Sequence, residues 1–319
     1  VATTHQYYFS VIIPTFNRAH SVSKAINSVL GQTFSDFEII IVDDASTDNT
    51  EAIVASFHDD RISYIKNDTN KERCISRNKG IEKATGKYIC FLDSDDYHLP
   101  EHLQKLYQFI HSKKEPEALF FTNSWNEDEQ GHRTERNCPD FEKYNSYSYF
   151  LHYTVNPQRW AVHHQVFAKI KFDSKIVICE DMDTSLRILA AGYPVYQLKE
   201  RTTVYVAAED SFTVSDKNKA EKELLNLNRI FKREELKGKL SFKEKNRLFS
   251  MCHFHLAIKA NEAKQKAKMY NHAVKSFVLC PKGYNGKTNK ILLVMCLYGL
   301  PVFGNTIESF IRITKNRIN

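Results

Sequence analysis

The sequence predicts an α/β protein in which a mostly parallel, Rossmann-like sheet is flanked by helices and followed by a C-terminal helical extension. Three observations predict it. Short apolar runs alternate with amphipathic stretches over residues 9–112. The character changes to Lys-rich helix from about Asp216. The 319 residues also exceed what one ordinary core organises, so a main domain and a second unit are expected.

In chain order, the apolar runs place strands at Ser10–Pro14, Phe37–Asp43, Ile62–Lys66 and Lys87–Leu92. Helices are expected over Ser21–Leu30, Asp48–Phe57 and Ile75–Ala84, where apolar residues recur at spacings of three and four. Next come an extended Ala118–Asn123, an irregular aromatic stretch through Tyr153 and a helix over Asp181–Ala191 that Gly192 stops. Pro194 cannot continue that helix and opens the extended run Pro194–Leu198. Lys217–Glu235 and Phe242–Val278 read as Lys-rich helices, which sets the domains at 1–215 and 216–319.

Hydrophobic residues at 42% and charged residues at 26% are ordinary for a folded globular chain and exclude a disordered one. The net charge of +7 conceals −8 over residues 1–216 and +15 over residues 217–319. No nucleic-acid motif accompanies the basic residues, so nucleic acid is not an expected partner. Seven scattered cysteines without C-x-x-C spacing argue against a disulfide framework or a structural zinc site and for a reducing compartment. With no signal peptide visible in Val1–Tyr8, the expected location is cytoplasmic. The apolar run Ile291–Gly304 is shorter than the roughly 20 helical residues a bilayer span needs.

Ligands of such arrays sit at the carboxyl ends of the strands. The residues there are Pro14-Thr15-Phe16-Asn17-Arg18, Asp43-Asp44-Ala45-Ser46 and Asp93-Ser94-Asp95-Asp96. Clustered carboxylates at a strand end are costly unless a cation offsets them. Mg²⁺ or Mn²⁺ suits hard oxygen ligands, taking one or two carboxylates and completing its shell with phosphates and water. A D-x-D is also common by chance, and these acids could simply cap a turn before the helix near Pro100; Asp43 and Asp44 could likewise serve the helix start at Thr47.

The string Val11-Ile12-Ile13-Pro14-Thr15-Phe16-Asn17-Arg18 is followed by Gln32-Thr33-Phe34 and by Glu38 to Thr50 with its Asp43-Asp44-Ala45-Ser46. Ser76-Arg77-Asn78-Lys79-Gly80 and Phe91-Leu92-Asp93-Ser94-Asp95-Asp96 complete the series. In this order and spacing the blocks resemble glycosyltransferase family two, whose catalytic domain has the GT-A nucleotide-diphospho-sugar transferase fold. The resemblance implies a metal-dependent, inverting transferase that moves a sugar from a nucleotide diphosphate, a UDP-sugar first, to a glycan or lipid-linked glycan acceptor in cell-surface polysaccharide synthesis.

It also implies roles. Pro14, Thr15 and Asn17, with Arg18, look like the first nucleotide loop. Asp43 is similar to the acid that hydrogen-bonds the base, with Asp44 opening the adjoining turn. Arg77 looks like the residue that reaches base or phosphate. Asp93 and Asp95 match the D-x-D, with Asp95 the direct metal ligand, Asp93 and Ser94 supporting nucleotide and metal, and Asp96 structural. Cys179-Glu180-Asp181 resembles the family's E-D motif, so Asp181 is the expected base and Glu180 orients it or binds acceptor. First-turn acids also favour a helix dipole by tenths of a kcal/mol each, which is the structural alternative.

The segment Asn70–Ile75 departs from the family in being bulky and charged, which bears on donor choice. Trp160, His163 and His164 are candidates to line the acceptor pocket or to add a metal or phosphate contact, beside a purely structural role. Nothing marks Cys74 or Cys179 as a nucleophile. No G-x-G-x-x-G follows the first strand, which excludes a dinucleotide oxidoreductase. A phospho-receiver leaves Asp93–Asp96 unexplained, and a nucleotidyltransferase lacks its glycine-rich first loop here. The competing class is a non-catalytic sugar-nucleotide or glycan-binding module. For the basic tail two readings stand open: attachment to an anionic membrane surface at the inner face of the cell membrane, or a helical extension with a solvated lysine face.

Overall fold

The computed structural model describes residues 5–207 and 218–281. The chain divides into two compact units, Val1–Ser215 and Asp216–Asn319.

The first unit opens with β1 (Tyr7–Thr15), α1 (Val22–Leu30), β2 (Phe37–Asp43), α2 (Thr50–Ala55), β3 (Ile62–Lys66), α3 (Glu72–Lys83) and β4 (Gly86–Phe91). Their strands lie in the order β3-β2-β1-β4, all parallel. Every residue of β2 is buried, as a strand covered on both faces demands, and its Ile-Ile-Ile-Val run supplies the apolar area. In α1 the buried Val22, Ala25, Ile26 and Val29 fall at helical spacing and form the stripe laid on the sheet.

The remainder consists of β5 (Tyr97–His98), α4 (His102–Ser112), β6 (Leu119–Glu127), β7 (Arg133–Glu135), α5 (Ser146–His152), β8 (Trp160–His163), α6 (His164–Lys169), α7 (Glu180–Ala190) and β9 (Val195–Val206). The sheet continues from β4 as β8-β6-β9-β5, with β7 on the flank of β6. Here β8 runs antiparallel to both neighbours, while β6 and β9 pair in parallel through a register shift at Thr122–Ser124. Short β5 and β7 also pair antiparallel, with β9 and β6 respectively.

Two departures from expectation have packing causes. The aromatic stretch before Tyr153 contains ordered α5, because Phe141, Tyr149 and Phe150 all pack their rings around Phe121; aromatic clustering carries no helical period to reveal it. Extended structure after Pro194 runs on to Val206, past the exposed Lys199 and Glu200, because Thr202, Thr203 and Val204 return to the core. Alternation is lost where the register shifts, so the pattern stops short of the strand.

In the second unit lie α8 (Lys219–Ile230), α9 (Phe242–Glu262) and α10 (Lys266–Leu279). A capping box, Ser241 with Glu244, starts α9. The expected single helix Phe242–Val278 is two, separated where Lys264 adopts a left-handed φ of 56°. Among the described residues no helix is long and apolar enough to cross a membrane. The run Ile291–Gly304 lies outside the described residues.

At the amino end of the sheet the backbone of β4 meets that of β1 without room to spare. A Cβ on Gly86 would lie 2.5 Å from the Ser10 backbone nitrogen. The Gly86 N–H also donates to Ser10 Oγ at 2.8 Å, and that hydroxyl donates to the buried Glu38 at 2.6 Å. Since the clash is with backbone, Gly86→Ala is expected to destabilise the first unit by about 1–3 kcal/mol, measured as a lower urea midpoint with unchanged m.

Candidate active site

The carboxyl ends of β1, β2 and β4 bring the first, second and fourth acidic or polar loops to one edge. Asp44 N–H donates to Thr15 O at 2.8 Å, continuing the β1–β2 pairing beyond Thr15–Asp43. Asn17 takes a left-handed φ of 51°, which lets its N–H donate to Ser46 Oγ and its Oδ1 accept from Thr47 N–H, both at 2.8 Å. Asn tolerates that conformation better than most residues. Arg18 N–H donates to Thr50 Oγ1 at 3.0 Å, and its guanidinium lies 3.5 Å from Asp95. Pro14 and Thr15 end the strand beneath them, with Thr15 buried.

Asp43 is fully buried. Its Oδ1 accepts from Ser46 N–H at 2.8 Å and its Oδ2 from Tyr64 Oη at 2.5 Å. The carboxylate holds the turn, with one bond accepted on each oxygen. Asp44 likewise anchors structure, accepting from Asn67 Nδ2 at 2.7 Å and Lys71 N–H at 2.9 Å. Tyr64 carried no signal in the sequence, whereas Asn67 follows the third predicted strand and could have been sought at its carboxyl end.

Beyond β4, Asp93 and Asp95 are partly open, with 27% and 24% of their side chains exposed. Ser94 and Asp96 are buried. Asp96 accepts from Gln158 Nε2 at 2.8 Å and from Val206 N–H at 2.9 Å, so it ties the acidic loop to the end of β9. Burial, reinforced by Asp95 and Asp93, pushes its carboxyl well above the usual range. Asp95 lies against Arg18 and Asp93 against Arg77. Among the described residues no group of three His, Cys, Asp or Glu could cage a metal. Two open carboxylates fit a cation that draws its other ligands from a bound phosphate.

Arg77 is held inside the protein by two acids. Its side chain is only 2% exposed, with Nη1 donating to Glu180 Oε1 and Nη2 to Asp93 Oδ1, each at 2.9 Å. It lies between the two acidic segments, with both of its terminal nitrogens occupied by carboxylates. Arg73 adds a second cation 3.6 Å from Glu180, a contact the sequence signalled only as a charged loop.

Cys179 enters α7 through a left-handed φ of 67°, after which Glu180 and Asp181 occupy the first turn. Burial and the adjacent Glu180 push the Asp181 carboxyl up to about 7, against lowerings first by the Met182 N–H, which donates to it at 2.8 Å, and then by Arg77. Asp183, completely buried, is paired with Arg187 at 2.9 Å. The thiol of Cys74 is buried and contacts Ile176 O; burial first, then Glu180, pushes it up to about 12, which suits packing and not nucleophilic attack.

The histidine candidates are corrected by position. His163 pairs with Tyr88 near the amino end of β4, and His164 Nδ1 lies 3.2 Å from Gly86 O, at the opposite end of the sheet from Asp93. Antiparallel β8 carries them away from the site. Trp160 is fully buried and stacked on Phe172, so it is core and not pocket wall.

A sheet of this topology with these loops defines the GT-A class of glycosyltransferase. The glycosyl transferase family 2 model matches residues 10–170, half of the chain, and the protein belongs to that family. It is 34% identical to an uncharacterised glycosyltransferase of Methanocaldococcus jannaschii over 193 residues, 58% of this chain and 65% of that one. It is 40% identical over 98 residues to the Escherichia coli UDP-Glc:alpha-D-GlcNAc-diphosphoundecaprenol beta-1,3-glucosyltransferase WfgD, covering 31% of this chain and 39% of that relative. The chain thus matches less than two thirds of the length of either. S. aureus TarS 1-349, solved in complex with UDP-GlcNAc, shares the fold with a TM-score of 0.65 at 20% identity, covering 95% of this chain and 91% of that one.

Because the Asp181 carboxyl lies above its unfolded value, the native state holds a proton there that the unfolded chain releases, and stability falls as pH rises from about 4 through 7. Asp181→Asn removes that dependence. Its unfolding midpoint is expected to exceed the parent's by several degrees at pH 8 and to match it closely at pH 4, read by differential scanning calorimetry.

Proposed function

We propose that the protein is a metal-dependent, inverting glycosyltransferase that moves a sugar from a UDP-sugar to an acceptor hydroxyl on a glycan or lipid-linked glycan, in cell-surface polysaccharide synthesis. The observation that carries this is the Arg77 bridge, which joins the D-x-D and E-D segments, distant in sequence, into one site. The UDP-linked donors of the WfgD and TarS comparisons support the choice of nucleotide.

On this proposal the nucleotide lies over Pro14, Thr15, Asn17 and Arg18, on a floor that Asp43 and Asp44 keep rigid. Asp95 and Asp93 would hold Mg²⁺ or Mn²⁺ together with the diphosphate, and the ion when bound offsets charge building on the leaving group. Asp181 accepts the proton of the acceptor hydroxyl as that oxygen bonds to the anomeric carbon. The bond from that carbon to the diphosphate oxygen breaks, and the nucleoside diphosphate leaves with the electron pair. Attack on the face opposite the leaving group inverts the centre. A carboxyl pushed up to about 7 is a stronger base than an ordinary aspartate and is still substantially ionised near neutral pH.

Asp181→Asn should lower transfer by about 10²-fold or more while leaving metal-dependent UDP binding, followed by calorimetry, within about twofold. Asp95→Asn should weaken both. Near-normal turnover by Asp181→Asn would sink the base assignment, and tight sugar-nucleotide binding without turnover across a panel of donors and acceptors would favour the binding-module reading.

The second unit adds a membrane-surface role to the proposal, supported by the exposed Tyr270, Phe277 and Val278 of α10 in a strongly basic segment. The full chain is expected to co-sediment with anionic liposomes and a 1–216 truncation to remain in the supernatant; negligible binding by both removes this role.

A further inference from the structure

Glu180 and Asp181 are adjacent buried acids, and nothing in their types says which one keeps its charge and which exchanges a proton. Two neighbouring carboxyls in a low-dielectric site do not both ionise easily, and the proton goes wherever compensation is weaker. Arg77 settles the asymmetry. Its guanidinium does not deprotonate in a protein, so once buried it needs anions within reach. It has two: Glu180 on one nitrogen and Asp93 on the other, each at 2.9 Å.

The guanidinium is itself held firmly. It lies over the ring of Phe172, 5.5 Å from the centroid. The next residue, Asn78, grips the backbone of Phe172 with both ends of its amide: Nδ2 donates to Phe172 O at 2.8 Å, and Oδ1 accepts from Phe172 N–H at 3.0 Å. Thus α3 is tied to the segment leading into α7 beside the Arg77–Glu180 pair.

We propose that Arg77 is a positioning residue that assigns the roles of the two acids: by pairing Glu180 it commits that carboxylate to the ion pair and leaves Asp181 as the group that exchanges the proton. This rests on the reading of Asp181 as the base.

Among the described residues, charges act on Asp181 from α7 and from α3. Glu180 acts from its own helix, and Arg77 acts from α3. Arg73, also on α3, reaches Glu180 at 3.6 Å. Asp183 on α7 is matched by Arg187 at 2.9 Å. The ionisable residues of α5, which packs along α7, are Tyr147, Tyr149 and His152. Removing Arg77 therefore leaves Glu180, among the described residues, with Arg73 at a longer distance and nearer solvent, and returns the two acids to competition for one proton.

The test reads the proton directly. In full-length protein with ¹³C-labelled carboxyl carbons and no substrate, the Asp181 resonance is identified by its loss in Asp181→Asn and titrated by NMR. Arg77→Gln is expected to raise its midpoint by about one pH unit or more and to move the acid limb of turnover with it. Arg77→Lys, which restores a cation, should bring the midpoint back towards the parent's. A folded Arg77→Gln with an unmoved midpoint overturns the proposal.

Should Arg77→Gln fail to fold by circular dichroism, Glu180→Gln takes its place. Removing the neighbouring anion while keeping Arg77 should lower the midpoint by about one unit or more, and an unmoved or raised midpoint overturns the proposal equally. Turnover surviving in Asp181→Asn would remove the base assignment whichever way these midpoints move, so the two failures are distinguishable.

Discussion

A buried positive charge that cannot be discharged has to be answered by anions, and in this protein the answer organises the site. Arg77 sits 2.9 Å from a carboxylate at the end of β4 and 2.9 Å from another at the start of α7. Removing either acid would leave a cation in the interior without adequate compensation, a cost of about 3–5 kcal/mol in comparable cases. The loop after β4 and the turn into α7 are therefore held in fixed relation by charge, across a stretch of chain containing four strands and three helices. Asn78 reinforces the same junction through neutral hydrogen bonds to Phe172. The Arg-Asn pair in the middle of α3 is thus a clasp built from side chains that ordinarily favour the surface.

Around this clasp the acids divide by exposure. Asp93 and Asp95 remain open enough for a ligand, each facing an arginine that limits their mutual repulsion. Asp96, one residue further on, is turned inward to Gln158 and the end of β9. Asp43 and Asp44 are committed to turns. The three acids of Asp93–Asp96 therefore serve different purposes, set by whether each carboxyl points to solvent, to a guanidinium or into the interior.

Much of the fold was legible because the first four strands obey the simplest rule, an apolar run with a turn at each end. Phe37–Asp43 and Ile62–Lys66 have the bounds expected of them, and α1 declares its buried face by spacing. Legibility fell where order comes from contacts between distant residues. The rings gathered on Phe121 stabilise α5 without any periodic pattern, and β9 is sustained by pairing with β6 across exposed polar residues. At the site, the sequence located the loops but not the inward or outward sense of each side chain. Arg77 and Asp43 are buried partners where ligand contacts were expected, and the histidines after Trp160 sit at the far end of the sheet because antiparallel β8 reverses the chain. Residue type and spacing place a group on an element; direction depends on what packs against it.

The reversal at β8 has a consequence for how such a protein can change. By standing antiparallel between β4 and β6, this strand separates two runs of parallel pairing that share no hydrogen bond with each other. The early strands and their loops form one module and the later ones another, joined by a short neutral strand and a few long-range side-chain ties. A change of register or an insertion in the later module can therefore be accommodated while the earlier strands keep their own pairing.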